Sequence, residues 1–130
     1  RTLMTEHGAT FAEARLPVSS ATTFTTHTAV AAGIDLFPPD LVARHLGEYA
    51  AGMGLDRGAL IGLGRTNPGD DTEPFSMAML GLRLSGFRNG VSKLHRMVSQ
   101  RLWESAWPTL PLDQIPIEAV TRGGWPARSR

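Results

Sequence analysis

The sequence predicts an α/β fold, rich in helix with few short strands, on three observations. The run Thr22-Thr23-Phe24-Thr25-Thr26-His27-Thr28 is dense in threonine around one aromatic residue, which favours an extended, half-buried backbone. It passes into Ala29-Val30-Ala31-Ala32-Gly33, small residues that suit a loop leaving a strand. Helix signals stand on both sides of it, and 14 glycines and 9 prolines interrupt the chain often enough to keep every element short.

Taken in order, Arg1 to Gly8 has the pattern of a helix end, with Gly8 as its stop. Thr10 and Glu13 have capping-box spacing, so a short helix should run to about Leu16, with Pro17 and Ser19-Ser20 ending it. The strand follows at about residues 21 to 28. Pro38-Pro39-Asp40 opens the next helix, because a proline loses nothing where the first-turn N–H is unpaired anyway. Leu41, Val42, His45, Leu46, Tyr49 and Met53 recur at three- and four-residue steps as its apolar face, and Gly52 and Gly54 end it. Asp56 caps a second short helix through Leu63, stopped by Gly64. Asn67 to Pro74 is a polar, turn-rich surface loop. Its three acids match no calcium-loop spacing.

Phe75 to Leu84 predicts a buried helix in which Met77 and Met79 fill gaps in the core. Arg88-Asn89-Gly90-Val91-Ser92 predicts a turn into a short buried strand, though Asn-Gly also suits a hairpin. A helix from Lys93 or Leu94 to about Ser105 should bury Leu94, Val98, Leu102 and Trp103. Trp107-Pro108 closes it, and a proline-punctuated connector follows with Ile115, Ile117 and Val120 as anchors. The chain has no repeat and no low-complexity segment.

Composition narrows the function classes. Without cysteine there is no disulfide framework and no thiolate metal site. No apolar run reaches membrane-spanning length and no signal peptide is present, so a cytoplasmic location and no membrane partner are expected. A net charge of +1, from 13 basic and 12 acidic residues, argues against a nucleic-acid partner. The two helices around Asp56 resemble a helix-turn-helix, so a small helical DNA-binding module is a competing class. Its recognition helix would carry only Arg57 and the adjacent Arg65. His27 stands where strand becomes loop, the region where α/β proteins gather ligands. It is a candidate ligand contact, or else a buried imidazole bonded to backbone.

A resemblance adds to this. Phe24 to Pro38, FTTHTAVAAGIDLFP, resembles the FTTHTPVPAGxDxFP segment of the bacterial α-glucan (glycogen/maltodextrin) phosphorylases. Phe75 to Ser85, Asn89 to His95 and Val98-Ser99 resemble that family's FNMAxLGLRLS…NGVSKLHxxVS run. Trp107-Pro108, Ile115-Pro116-Ile117 and Val120-Thr121 are similar to its WP…VPIxxVTNG run. The resemblance implies a fragment from the end of the N-terminal Rossmann-like half of a glycosyltransferase-B fold. Residues 1–121 would form that partial domain. Residues 122–130, where the resemblance ends, would be a divergent, disordered tail. The sequence begins with Arg1 and is far shorter than such an enzyme, which also reads as a fragment.

The implied reaction is phosphorolysis of α-1,4-glucan by inorganic phosphate to glucose 1-phosphate, with pyridoxal phosphate as cofactor, in a homo-oligomeric full-length enzyme. By the same resemblance His27 contacts the glucosyl 6-hydroxyl, and Val91 lines that sugar pocket. Gly90 lets backbone approach the sugar, or serves only as a turn. Lys93 and His95 are assigned to the helix start and its packing, and His7 and His45 to surface or packing. The chain departs from the family at Ala29 and Ala31, which stand for prolines, and at Arg122, which stands for a sugar-binding asparagine. The only lysine, Lys93, lies in the wrong motif to carry the cofactor. The isolated chain is therefore expected to bind no cofactor and to be inactive, leaving a non-catalytic carbohydrate-contacting fragment as the alternative. Strands near 21–28, 89–93 and 117–120 are expected to lack neighbours and to leave exposed edges that favour association.

Overall fold

The computed structural model describes residues 1–27 and 30–121. The expectations for Thr28, Ala29, Arg122 and the 122–130 tail lie outside the described residues. In chain order the elements are helix α1 (Thr2–His7), α2 (Phe11–Ser20), strand β1 (Thr23–Thr26), β2 (Leu36–Phe37), α3 (Pro39–Ala51), α4 (Arg57–Gly62), β3 (Phe75–Ser76), α5 (Met77–Leu84), β4 (Phe87–Gly90), α6 (Lys93–Leu102) and β5 (Glu118–Ala119). The architecture is mixed helix and strand with a small parallel sheet, as an α/β reading requires.

Local signals explain most boundaries. Gly8 ends α1 at φ 66°, the left-handed setting that glycine takes without cost. Thr10, Asp56, Ser76 and Ser92 each accept the N–H of the residue three positions on, capping α2, α4, α5 and α6. Pro39 sits in the first turn of α3. At α2, however, the chain overrides its proline. The helix runs through Pro17 to Ser20, four residues past the expected end. Proline's φ is helical, and the hydroxyls of Ser20 and Thr22 donate to the Leu16 and Val18 carbonyls at 2.9 and 2.6 Å, closing the final turn.

The main sheet has the order β1-β4-β5, all parallel, with Thr23 opposite Phe87, Thr26 opposite Gly90, and Gly90 opposite Ala119. The three segments expected to lack neighbours therefore pair with one another. The Asn89-Gly90 hairpin is excluded: these residues end a strand parallel to β1, so the strand precedes the turn. A second, antiparallel pair joins β2 to β3, which takes Phe75 and Ser76 out of the expected single helix.

Two clusters form the core. Val42, Ala50, Leu60, Ile61 and Phe75 hold α3 and α4 against β3. Met79, Leu82, Trp103, Ile115 and Ile117 join α5 to the end of α6 and to the segment that leads into β5. α5 serves both, since Leu80 packs on the first cluster while Met79 and Leu82 belong to the second. Gly81 is needed there because a Cβ would strike the ring of Phe24 on β1.

Three expected core faces turn out differently. On α3, Val42 and Ala50 are buried while Leu41, His45, Leu46 and Tyr49 are exposed. Met77 is 48% exposed, so only Met79 fills the core. On α6 the expected face is kept at its end and lost at its start: Trp103 is buried and Leu102 packs on the second cluster, but Leu94 is 70% exposed, while His95, Ser99 and Gln100 face inward. The reason is polar. Gln100 Nε2 donates to the Ile115 carbonyl and Arg96 Nε to the Ile117 carbonyl, each at 3.0 Å, and these bonds set which side of the helix meets the 115–117 segment. Val120, expected as an anchor, is exposed.

Arginine does similar work elsewhere. Arg65 donates to the Glu73 and Asp71 carbonyls, Arg83 to those of Arg65 and Thr66, Arg15 to that of Arg83, and Arg88 to those of Leu82 and Ser85. Burial holds the Arg83 and Arg88 guanidiniums below their ordinary value, yet a guanidinium stays charged in a protein. On the candidate recognition helix α4, Arg57 is paired with Asp40. The polar loop closes on Glu73, whose carboxylate accepts the Thr66 N–H and hydroxyl and the Asn67 N–H at 2.6, 2.7 and 3.0 Å. Among the described residues no helix is long and apolar enough to cross a membrane.

Burial pushes the Glu73 carboxyl up, but the Thr66 and Asn67 bonds outweigh it, and the group titrates below its ordinary 4.5. A depressed carboxyl stabilises the fold above 4.5 and loses that contribution as pH falls through the lower folded value. Glu73→Gln should therefore unfold more easily than the native chain at pH 7, by about 1–2 kcal/mol for the lost acceptor. The difference should vanish on acidification. Thermal unfolding from neutral pH to below the ordinary carboxylate range checks this.

Candidate functional site

Parallel pairing decides what lies together. Thr26 and Gly90 are opposite one another at the carboxyl ends of β1 and β4, and Ala119 is opposite Gly90 on β5. His27, Val91 and Val120 are the next residues on each strand, so the three segments leave the sheet at one edge. Val120 N donates to the Gly90 carbonyl at 2.9 Å, which ties the third exit to the second. Side chains reinforce the first pair: Thr25 Oγ1 donates to Asn89 Oδ1 at 2.9 Å, across the register.

His27 is exposed, not buried against backbone, and borders a cavity of about 360 Å³. Phe24, Thr25 and Thr26 of β1 line it, with Gly33, Ile34 and Asp35 from the loop beyond, Met77 and Ala78 from the start of α5, and Trp103 past the end of α6. The lining brings an imidazole, two threonines and one carboxylate together with apolar surface. It contains no lysine and no arginine among the described residues. Such a surface can exchange hydrogen bonds with neutral hydroxyls and cover an apolar ring face. It offers nothing to neutralise an anion. A larger cavity of about 480 Å³, between α3, α4 and the polar loop, is lined by Asp40, Arg57, Arg65 and Asp71 among others, and its cations already face carboxylates.

Gly90 and Val91 adjoin the same sheet edge, but neither lines the His27 cavity. The space a Gly90 side chain would need is filled by α6, since a Cβ would stand 3.0 Å from Arg96 N and 3.2 Å from the His95 carbonyl carbon. The close approach this glycine permits is thus between β4 and the first turn of α6. Val91 is half-buried, and its N–H donates to His95 Nδ1 at 3.2 Å. Lys93 is exposed at the start of α6 and His95 is buried beneath it, as their assigned roles require, and His7 and His45 are on the surface. No cluster of three or more metal-ligating side chains occurs among the described residues.

Of this lining, sequence reasoning singled out His27 alone. Asp35 lies within the quoted Gly33-Ile34-Asp35 run and was a carboxylate next to small residues, a signal that existed. Met77 and Trp103 gave none, because both sit in stretches whose apolar character reads as core.

The sheet edge and its cavity define an α/β unit of the kind that takes ligands beyond the carboxyl ends of parallel strands. Its relatives give the rest. The chain is 40% identical over 118 residues to maltodextrin phosphorylase of Thermococcus litoralis, covering 91% of this chain and 13% of that protein. It is 40% identical over 129 residues to glycogen phosphorylase of Mycobacterium tuberculosis, covering 95% of this chain and 15% of the relative. Glycogen phosphorylase of Aquifex aeolicus matches at 31% over 116 residues, covering 89% and 16% respectively. The chain belongs to the glycogen and maltodextrin phosphorylase family and covers one segment of it. It spans 13% to 16% of the length of these curated relatives. No protein-family model matches it.

Gly90→Ala should drive β4 from α6 and cost about 1–3 kcal/mol, since the colliding atoms are backbone and cannot rotate away. Gly47→Ala, where a Cβ meets nothing within 4 Å, should cost far less. Midpoints of thermal unfolding for the two variants measure the contrast.

Proposed function

We propose that this chain supplies one wall of the glucan cleft of an α-glucan phosphorylase, as part of the N-terminal Rossmann-like domain of a glycosyltransferase-B fold. The observation that carries the reading is the hydroxyl-bearing cavity at His27, lined by no lysine or arginine, with threonines and Asp35 beside apolar Phe24, Ile34 and Trp103. A glucosyl unit presents hydroxyls around its rim and C–H surface on its faces, and this lining answers both. Identity to maltodextrin and glycogen phosphorylases supports the same ligand class.

In this reading His27 holds a hydroxyl of the terminal glucosyl unit. Its imidazole can donate from one nitrogen and accept at the other. Gly90 and Val91 lie outside that cavity's lining and border the cleft from the neighbouring strand exit. The whole enzyme, cytoplasmic and homo-oligomeric, cleaves α-1,4-glucan with inorganic phosphate to give glucose 1-phosphate. Pyridoxal phosphate would supply acid–base chemistry there through its own phosphate. The described residues do not fit that cofactor: Lys93, the only lysine, is exposed on α6, and the lining of the His27 cavity carries no cation. This chain's part is to bind and orient sugar, and catalysis needs groups from elsewhere in the enzyme.

A titration with maltooligosaccharide, followed by amide chemical shifts, should perturb residues 24–27 and 33–35 first. His27→Ala should weaken binding about 3–10-fold, the worth of one hydrogen bond. Perturbations confined to the Arg57–Arg65 cavity, or none, would refute the reading. The purified chain should release no glucose 1-phosphate from maltodextrin with phosphate and added pyridoxal phosphate, and measurable turnover would show that it holds a complete site.

A further inference from the structure

We infer that Asp35 is a specificity residue of the His27 cavity: its carboxylate admits neutral sugars and turns away anionic ones, a glucosyl unit bearing phosphate among them. The inference rests on the carbohydrate reading above and adds to it which sugars the cavity refuses.

The lining holds one carboxylate and no lysine or arginine among the described residues. Asp35 is exposed, in the short stretch between the turn at Ala31–Gly33 and β2. Its side chain makes no hydrogen bond and no ion pair with any described residue. That sets it apart from the carboxylates of the cavities nearby. Asp40 pairs with Arg57 and Asp71 with Arg65. Glu73 lines an adjoining cavity of about 240 Å³ that shares Ile34 and Trp103 with this one, and it accepts from Thr66 and Asn67. An unengaged carboxylate keeps its full field toward whatever enters.

The size of the cavity makes that field effective. A sphere of about 360 Å³ is about 9 Å across. Salt at about 0.1 M screens exposed charges over ~10 Å. A charged group in the cavity therefore stands within one screening length of Asp35. A neutral hydroxyl feels no such repulsion and can donate to the carboxylate. A phosphate meets repulsion worth about 2–5-fold in affinity, and no cation in the lining offsets it. The same field acts on inorganic phosphate, the co-substrate of the proposed reaction, and keeps that anion out of the place the sugar takes.

The test measures binding of maltotriose, and of maltotriose phosphorylated at the 6-position of its non-reducing unit. The proteins are the native chain, Asp35→Asn and Asp35→Lys, at one pH and with His27 unchanged in all three. Asparagine keeps the size and removes the charge, and lysine inverts the charge. The quantity read is the ratio of the two affinities. At about 20 mM salt the native chain should favour the neutral sugar. Asp35→Asn should reduce that preference about 2–5-fold, and Asp35→Lys should reduce it further. Raising the salt to about 500 mM should shrink the native preference toward that of Asp35→Asn, whose own ratio should move less. Asp35 is exposed and unbonded, so both variants should fold as the native chain does, which thermal unfolding checks. A ratio unchanged in Asp35→Asn overturns the inference, and so does a native ratio indifferent to salt. A phosphorylated probe that none of the three proteins binds also overturns it, because bulk would then do the excluding. A native chain that binds no maltotriose overturns the carbohydrate reading and this role with it, whereas maltotriose binding with the ratio unchanged overturns the role alone.

Discussion

At Gly90 the end of β4 meets the first turn of α6, so close that a Cβ would lie 3.0 Å from the Arg96 nitrogen. The arrangement of the ligand edge follows from that contact. With α6 pressed against β4, His95 reaches Val91, Arg96 reaches the Ile117 carbonyl and Gln100 reaches that of Ile115. Those bonds hold the 115–117 segment against α6, and β5 then pairs with β4 in the register that carries Val120 to the Gly90 carbonyl. A Cβ at position 90 would make the helix and the strand give by a few tenths of an ångström at the point where those contacts begin.

Much of this was legible in the residues themselves. Caps at Thr10, Asp56 and the Gly8 stop are local devices whose geometry depends on two or three neighbours, so their sequence signature survives folding. The strand ending at His27 was visible from its threonines. The failures share a cause: they needed knowledge of what packs from far along the chain. Pro17 looked like a terminator, yet the helix carries it and is closed by Ser20 and Thr22. Asn89-Gly90 looked like a hairpin because the parallel partner, β1, lies more than sixty residues earlier. Of the site, the histidine was legible from strand-end position and motif, while Trp103 and Met77 were hidden among residues that equally suit a core.

The near absence of lysine also has a structural use here. A guanidinium can bond several carbonyls in a plane, and Arg65, Arg83 and Arg88 each hold two backbone carbonyls in that way, while Arg96 holds one. A basic count read as surface charge is thus partly internal scaffolding. It explains why an arginine-rich chain of net charge +1 carries so little cationic surface on α4.

α6 turns Leu94 and Met97 to water and buries His95, Ser99 and Gln100. Greasy contacts are tolerant of rotation, because one aliphatic neighbour serves about as well as another. Directional bonds are not, and three of them fix the azimuth of this helix. Its orientation therefore behaves as a discrete setting rather than a continuum, and Val91 inherits that discreteness.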